Sequence, residues 1–220
     1  MNFKKVFGSV VSSILMLGVL AGCGGNKESA STNTSTTAPT TTVATQAAST
    51  FKQGTRTDKE YKSEWLGIKY TLPENYIMMT DEQLKQAAKV GAEITGSNTG
   101  QMLDNVDMAS MFEMYATNPT GESVIMVAEK LPITFNEAQY AELIKSHIKQ
   151  TDVSAVLKDI TTREIGGVTF TELGTSMTLD GQKLYQTAFL KQLDDRMVVI
   201  TCTCTKEDGL NTMLAGFSKL

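Results

Sequence analysis

Cysteine is scarce in this chain of 220 residues, with only Cys23, Cys202 and Cys204. Cys23 closes an N-terminal apolar run, so two thiols remain for everything that follows. That is too few for the disulfide framework on which small exported domains rely. Histidine is scarcer still, with His147 alone. A Ser-His-Asp triad would have to use it, and no Gly-x-Ser-x-Gly elbow accompanies it. Basic charge is also short. Residues 58–220 carry 15 Lys/Arg against 23 Asp/Glu, a net −8 where the whole chain has −4. Such a balance disfavours nucleic acid as a partner, and it disfavours electrostatic adhesion to anionic lipid. Two loop-like stretches lack the residues that would complete a site. Gly96-Ser97-Asn98-Thr99-Gly100 has no Lys-Ser/Thr for a phosphate loop, and Asp104-Asn105-Val106-Asp107 has no remainder of a calcium loop. The expectation is a chain with no catalytic, cofactor or metal site, and so not an enzyme.

What the chain does have begins at its N-terminus. Lys4 and Lys5 precede an h-region from Val6 to Leu20, then Ala21, Gly22 and Cys23. This is the layout of a secretory signal and is too short to span a membrane as a mature helix. Leu20-Ala21-Gly22-Cys23 resembles the lipobox of bacterial lipoproteins. The resemblance implies a signal peptide over 1–22, cleavage before Cys23 and diacylglycerol attached to its thiol. Two acyl chains, at about 0.8 kcal/mol per buried CH₂, make a stable anchor where one is marginal. Gly24 to Thr57 is dominated by Ser, Thr and Ala, with too little apolar surface to offset ordering entropy. It reads as a disordered tether whose 34 residues span roughly 32 Å as a flexible coil. The short n-region and Ser/Thr tether point to the extracytoplasmic face of a Gram-positive cell membrane.

Residues 58–220 then fit one domain. Glu60–Trp65 and Ile68–Leu72 read as strands meeting at Leu66-Gly67, with a turn at Pro73–Tyr76. A capping-box pattern, Thr80 to Gln83, predicts a helix over Asp81–Val90, followed by a long loop over Ala92–Asn105. Ala109–Ala116 and Ser123–Lys130 read as a hairpin around Asn118–Gly121. A second capping box, Thr134 to Glu137, predicts a helix over Phe135–Lys149. Its apolar arc holds Tyr140, Ala141, Leu143, Ile144, His147 and Ile148. Gly166-Gly167, Asp180-Gly181 and Asp194-Asp195 separate four runs into an antiparallel meander: Asp159–Ile165, Val168–Leu179, Lys183–Leu193 and Met197–Thr205. Tight turns place Leu173, Met177, Leu184, Leu190 and Val199 on one face. Phe170, Tyr185, Phe189, Ile200 and Cys202 fall on the other. Both faces are apolar and need cover. The expected cover is helices on both sides, including a C-terminal one over Lys206–Phe217. The predicted class is α+β, an antiparallel sheet flanked by helices on both faces.

This order of elements resembles the PsbP-like (Mog/PsbP) α/β/α sandwich superfamily. The resemblance is carried by Trp65–Tyr76, an extended segment into Pro-x-Asn-aromatic, and by the Gly-Gly hairpin meander with its terminal helix. It implies a non-catalytic module that binds a protein or envelope component, with no shared catalytic residues to carry over.

Two sulfur clusters remain as candidate chemistry. Cys202 and Cys204, at i and i+2 on a strand, point the same way and could grip a soft metal. No adjacent His completes the set, and free cysteines pack readily in cores. Met108, Met111 and Met114 have the spacing of Cu(I) thioether carriers, yet a strand would turn Met111 away from the other two. A small-ligand or soft-metal lipoprotein is therefore the alternative to a binding module anchored through Cys23.

Overall fold

In a computed structural model, residues 51–84, 112–130, 135–151, 154–179 and 181–220 are described. Cys23, the tether before residue 51, the loop over Ala92–Asn105, Met108, Met111, Thr134 and Asp180 lie outside them. Among the described residues no helix is long and apolar enough to cross a membrane.

The C-terminal meander forms as the turn residues require. Strands β8 (Thr161–Ile165), β9 (Val168–Leu179), β10 (Gln182–Leu193) and β11 (Arg196–Cys204) pair consecutively and antiparallel. Gly166 and Gly167 both have positive φ, +59° and +82°, which a two-residue turn closing Ile165 onto Val168 demands. Asp194, at φ +52°, does the same between Leu193 and Arg196. The meander continues through β6 (Ser123–Lys130) to β5 (Phe112–Thr117), with β4 (Ile77–Met78) beyond it. On the far side β7 (Val156–Leu157) also pairs with β9. The result is an eight-stranded antiparallel sheet.

Alternation sorts its side chains into two cores, as expected from the register. Leu173, Leu190, Val199, Met197 and Ile125 share a core with helix α1 (Glu137–Thr151), which contributes Tyr140, Ala141, Ile144 and Ile148. Phe170, Phe189, Ile200, Cys202 and Met126 lie in the opposite core. The helix starts later than expected. Asn136 Oδ1 accepts the Gln139 N–H at 2.9 Å while Gln139 Oε1 accepts the Asn136 N–H at 3.1 Å. Asn136, not Thr134, is therefore the N-cap of a reciprocal capping box. The earlier box is present at Thr80 and Gln83, whose mutual bonds of 2.9 and 3.3 Å open a helical turn over 81–84.

The second face departs from expectation. Helices do not flank both sides. A separate four-stranded sheet covers it, in the order β1 (Thr55–Arg56), β2 (Glu60–Ser63), β3 (Ile68–Thr71), β12 (Phe217–Lys219). Tyr61, Ile68, Tyr70 and Phe217 face inward from it. The predicted C-terminal helix contracts to α2 (Gly209–Leu214), which lays Met213 on this core. Phe217, the last residue of that expected helix, instead packs its ring against Tyr70 from β12, centroids 4.4 Å apart. Gly216 makes the switch possible, because a Cβ there would lie 2.5 Å from the Thr71 carbonyl oxygen. The fold is thus a β-rich helix/sheet/sheet stack.

Strand β1 lies before residue 58, the expected start of the domain. β1 pairs with β2, and the residues before it are packed on the domain. Because Asn136 alone supplies the observed cap, Asn136→Ala is expected to destabilise the domain by about 0.5–2 kcal/mol. Asn136→Ser should keep most of that stability; urea unfolding monitored by circular dichroism reads both.

Candidate functional site

The structure puts the two candidate thiols where packing, not chemistry, governs them. Cys202 and Cys204 lie on one face of β11, 0% and 2% exposed, and both are free. Burial pushes the Cys202 thiol well above its ordinary range, and the Cys204 and Glu172 charges add to it. Burial, then the Glu122 carboxylate, pushes Cys204 up to about 11. Cys204 Sγ–H donates weakly to the Tyr185 carbonyl at 3.6 Å. Neither is a thiolate near neutrality, so neither is a poised nucleophile. Met114 is fully buried in the same core, together with Met126 and Met213. Met108 and Met111, the other two members of the methionine spacing, lie outside the described residues. Among the described residues no three His, Cys, Asp or Glu side chains come close enough to hold a metal. His147 is half-buried on α1, at the margin of its apolar arc.

A polar cluster that sequence reasoning missed sits where the two sheets meet. Phe112 faces Val127 and Met114 faces Met126, so two adjacent residues of β6 oppose residues two apart on β5. Glu113 is the extra residue of a β-bulge. The bulge explains how Phe112 and Met114 enter opposite cores, although strict alternation would place them on one face. It also aims the Glu113 carboxylate, 2% exposed, at the small sheet. Glu113 Oε2 accepts the Tyr61 hydroxyl at 2.5 Å and the Gly54 N–H at 2.9 Å. Burial, then the Glu113 charge, pushes the Tyr61 hydroxyl far above its usual range, so it stays a donor. Gln53 Nε2 donates to the Phe112 carbonyl at 3.1 Å, and Arg56 pairs with Asp81 at 2.7 Å. A phenol hydrogen-bonded to a carboxylate could pass a proton between them. Here the phenol and carboxylate are closed to substrate beneath the small sheet and act as a fastener.

The fastener continues to the start of the described chain. The Arg196 guanidinium lies over the Phe51 ring at 3.8 Å, and Phe51 meets Trp65 edge-on at 5.0 Å. Trp65 Nε1 donates to Asp194 Oδ2 at 2.9 Å. Residues 51–56 are therefore stitched across the edge of the main sheet and the turns at 64–67 and 194–195. The only sequence signal was Phe51, a lone aromatic after a run of Ser, Thr and Ala.

No protein-family model matches the chain, and no curated protein matches it. Solved structures with a similar shape include the solution structure of cyanobacterial PsbP (CyanoP) from Synechocystis sp. PCC 6803, with TM-score 0.45 and 10% identity over 74% of this chain and 92% of that one. LpqN of Mycobacterium tuberculosis, described as involved in cell envelope biogenesis, gives TM-score 0.41 and 10% identity over 69% and 82%. A Bacteroides thetaiotaomicron protein gives TM-score 0.40 and 9% identity over 74% and 48%.

Two measurements probe these arrangements. A thiol reagent should label Cys202 and Cys204 in the native protein far more slowly than in denaturant; fast native labelling of both would contradict their burial. Glu113→Ala should cost about 1–3 kcal/mol by leaving the buried Tyr61 hydroxyl without its acceptor. Tyr61→Phe in that background should return part of the loss, as a thermodynamic cycle would show.

Proposed function

We propose that the protein is a membrane-anchored extracytoplasmic lipoprotein whose domain is a non-catalytic module binding a protein or an envelope component. The observation that carries this reading is Leu20-Ala21-Gly22-Cys23 behind an uncharged run, followed by a Ser/Thr-rich tether. Cys23 is the lipid attachment site, and the diacylglyceryl group holds the protein on the membrane. The domain supports the module reading through its interior. Both faces of the main sheet are filled by packed side chains, and the groups that might do chemistry serve as core or as fasteners.

The alternative is a soft-metal or small-ligand lipoprotein. It is favoured by one observation, that Cys202, Cys204, Met114, Met126 and Met213 share a single core. It would need that core to open, which the native rate of thiol labelling measures directly.

Replacing Cys23 by Ser tests the anchor. Cys23→Ser is expected to abolish incorporation of labelled fatty acid and membrane retention, while near-UV circular dichroism of the domain stays unchanged. Lipid incorporation into the Ser variant would overturn the assignment.

A further inference from the structure

Two buried atoms of charged side chains at the seam between the sheets are left over by the hydrogen bonds described above. Glu113 is 2% exposed, and its Oε2 accepts both the Tyr61 hydroxyl and the Gly54 N–H. Its other oxygen, Oε1, is likewise buried and has no hydrogen-bond partner among the described residues. Arg56 Nη2 donates to Asp81 Oδ1 at 2.7 Å, while Arg56 Nη1 is buried and donates to none of them. Buried polar atoms in folded proteins are nearly always paired, and leaving one unpaired costs most when its group is charged.

The two atoms belong to one place. Arg56 stands directly opposite Tyr61 across β1 and β2, so both side chains leave the small sheet on the same face. Tyr61 ends on Glu113, and Gly54, two residues before Arg56, reaches the same carboxylate. Gly54 comes this close because it has no Cβ, which would run into the Tyr61 ring. On the other flank the Met79 N–H donates to the Tyr115 carbonyl at 2.8 Å and leads the chain along β5 towards Asp81, the ion partner of Arg56. Burial and the Glu113 charge raise the Tyr61 hydroxyl above its usual range, and the Arg56 charge opposes them, so the guanidinium lies within electrostatic reach of the phenol. Even so, Arg56 Nη1 and Glu113 Oε1 do not bond each other directly.

We propose that a buried water molecule binds between Arg56 Nη1 and Glu113 Oε1 and bridges them. Its oxygen accepts the guanidinium N–H, and one of its O–H groups donates to the carboxylate. The chemistry of the two atoms selects this occupant. Arg56 repels a cation, Glu113 repels an anion, and apolar contact would leave both atoms unpaired. Water accepts from one and donates to the other, as buried waters do between groups that cannot meet. The bridge completes a chain of polar contacts from exposed Asp81 through Arg56, the water and Glu113 to fully buried Tyr61. It ties together the helical turn at 81–84, β1, β5 and β2. Strand β1 has only two residues in its ladder with β2, so side-chain contacts of this kind supply much of its hold on the domain. The site is independent of lipidation at Cys23 and of what the domain binds.

A high-resolution crystal structure of the full-length protein tests the bridge. A solvent peak is expected within hydrogen-bond distance, about 2.7–3.2 Å, of both Arg56 Nη1 and Glu113 Oε1. No peak there, a direct bond between Arg56 and Glu113, or a peak with the coordination of a metal ion or halide would each overturn the proposal. Arg56→Met keeps an unbranched side chain and removes the donor. Its crystal structure should lose the peak from this position while the Tyr61 hydroxyl stays on Glu113. A peak unchanged in position in that variant overturns the bridge, because the water would then owe nothing to Arg56. Should Arg56→Met fail to fold, the structure of the unaltered protein decides alone.

Discussion

A sheet that carries Phe189 on one face and Leu190 on the other, both fully buried, cannot leave either face in water. Each such side chain contributes about 1.5–3 kcal/mol on burial, and the central strands place them in rows on both sides. Every other element is arranged to satisfy that demand. Helix α1 covers the face bearing Leu173, Leu190 and Val199. The opposite face, with Phe170, Phe189 and Ile200, is wider than one six-residue helix can cover, and a second sheet takes most of it. That sheet is assembled from both ends of the domain, since β1 to β3 precede the main sheet in sequence and β12 follows it. The ends of the folded unit are joined through the strands that close its core.

Joining two sheets buries polar groups at the seam, and Glu113 Oε2 satisfies two of them. Its bulge converts one residue of an alternating strand into a buried acceptor for Tyr61 and Gly54. Gln53 caps the Phe112 carbonyl on the same strand. An exposed strand edge invites pairing with other chains, and covering it with the incoming segment limits that hazard. The same contacts fix where residues 51–56 sit on the domain.

Much of the meander could be read from short-range chemistry. Gly166-Gly167 and Asp194-Asp195 fix two-residue turns, and turn length fixes register, so the faces of Leu173 and Phe170 follow without any tertiary information. The cap at Thr80 is equally local. The start of α1 was misplaced by two residues because Thr134–Glu137 and Asn136–Gln139 both carry acceptable capping chemistry. Only the chain's approach to the sheet selects between them. Phe217 shows the stronger limit. Its spacing from Leu210, Met213 and Leu214 suits a helical stripe, but the edge of β3 offers backbone partners that end the helix and draw Phe217 into a strand.

The sequence by itself determined the faces of the meander, because a tight turn and an alternating strand are each written in contiguous residues. It did not determine what covers the second face, which residues bury Glu113, or where Phe51 packs on the domain. Those depend on contacts between residues far apart in the chain, such as Tyr61 with Glu113, Tyr70 with Phe217 and Phe51 with Arg196. Such pairs leave no periodic trace in the sequence, and only the closing of the two cores brings them together.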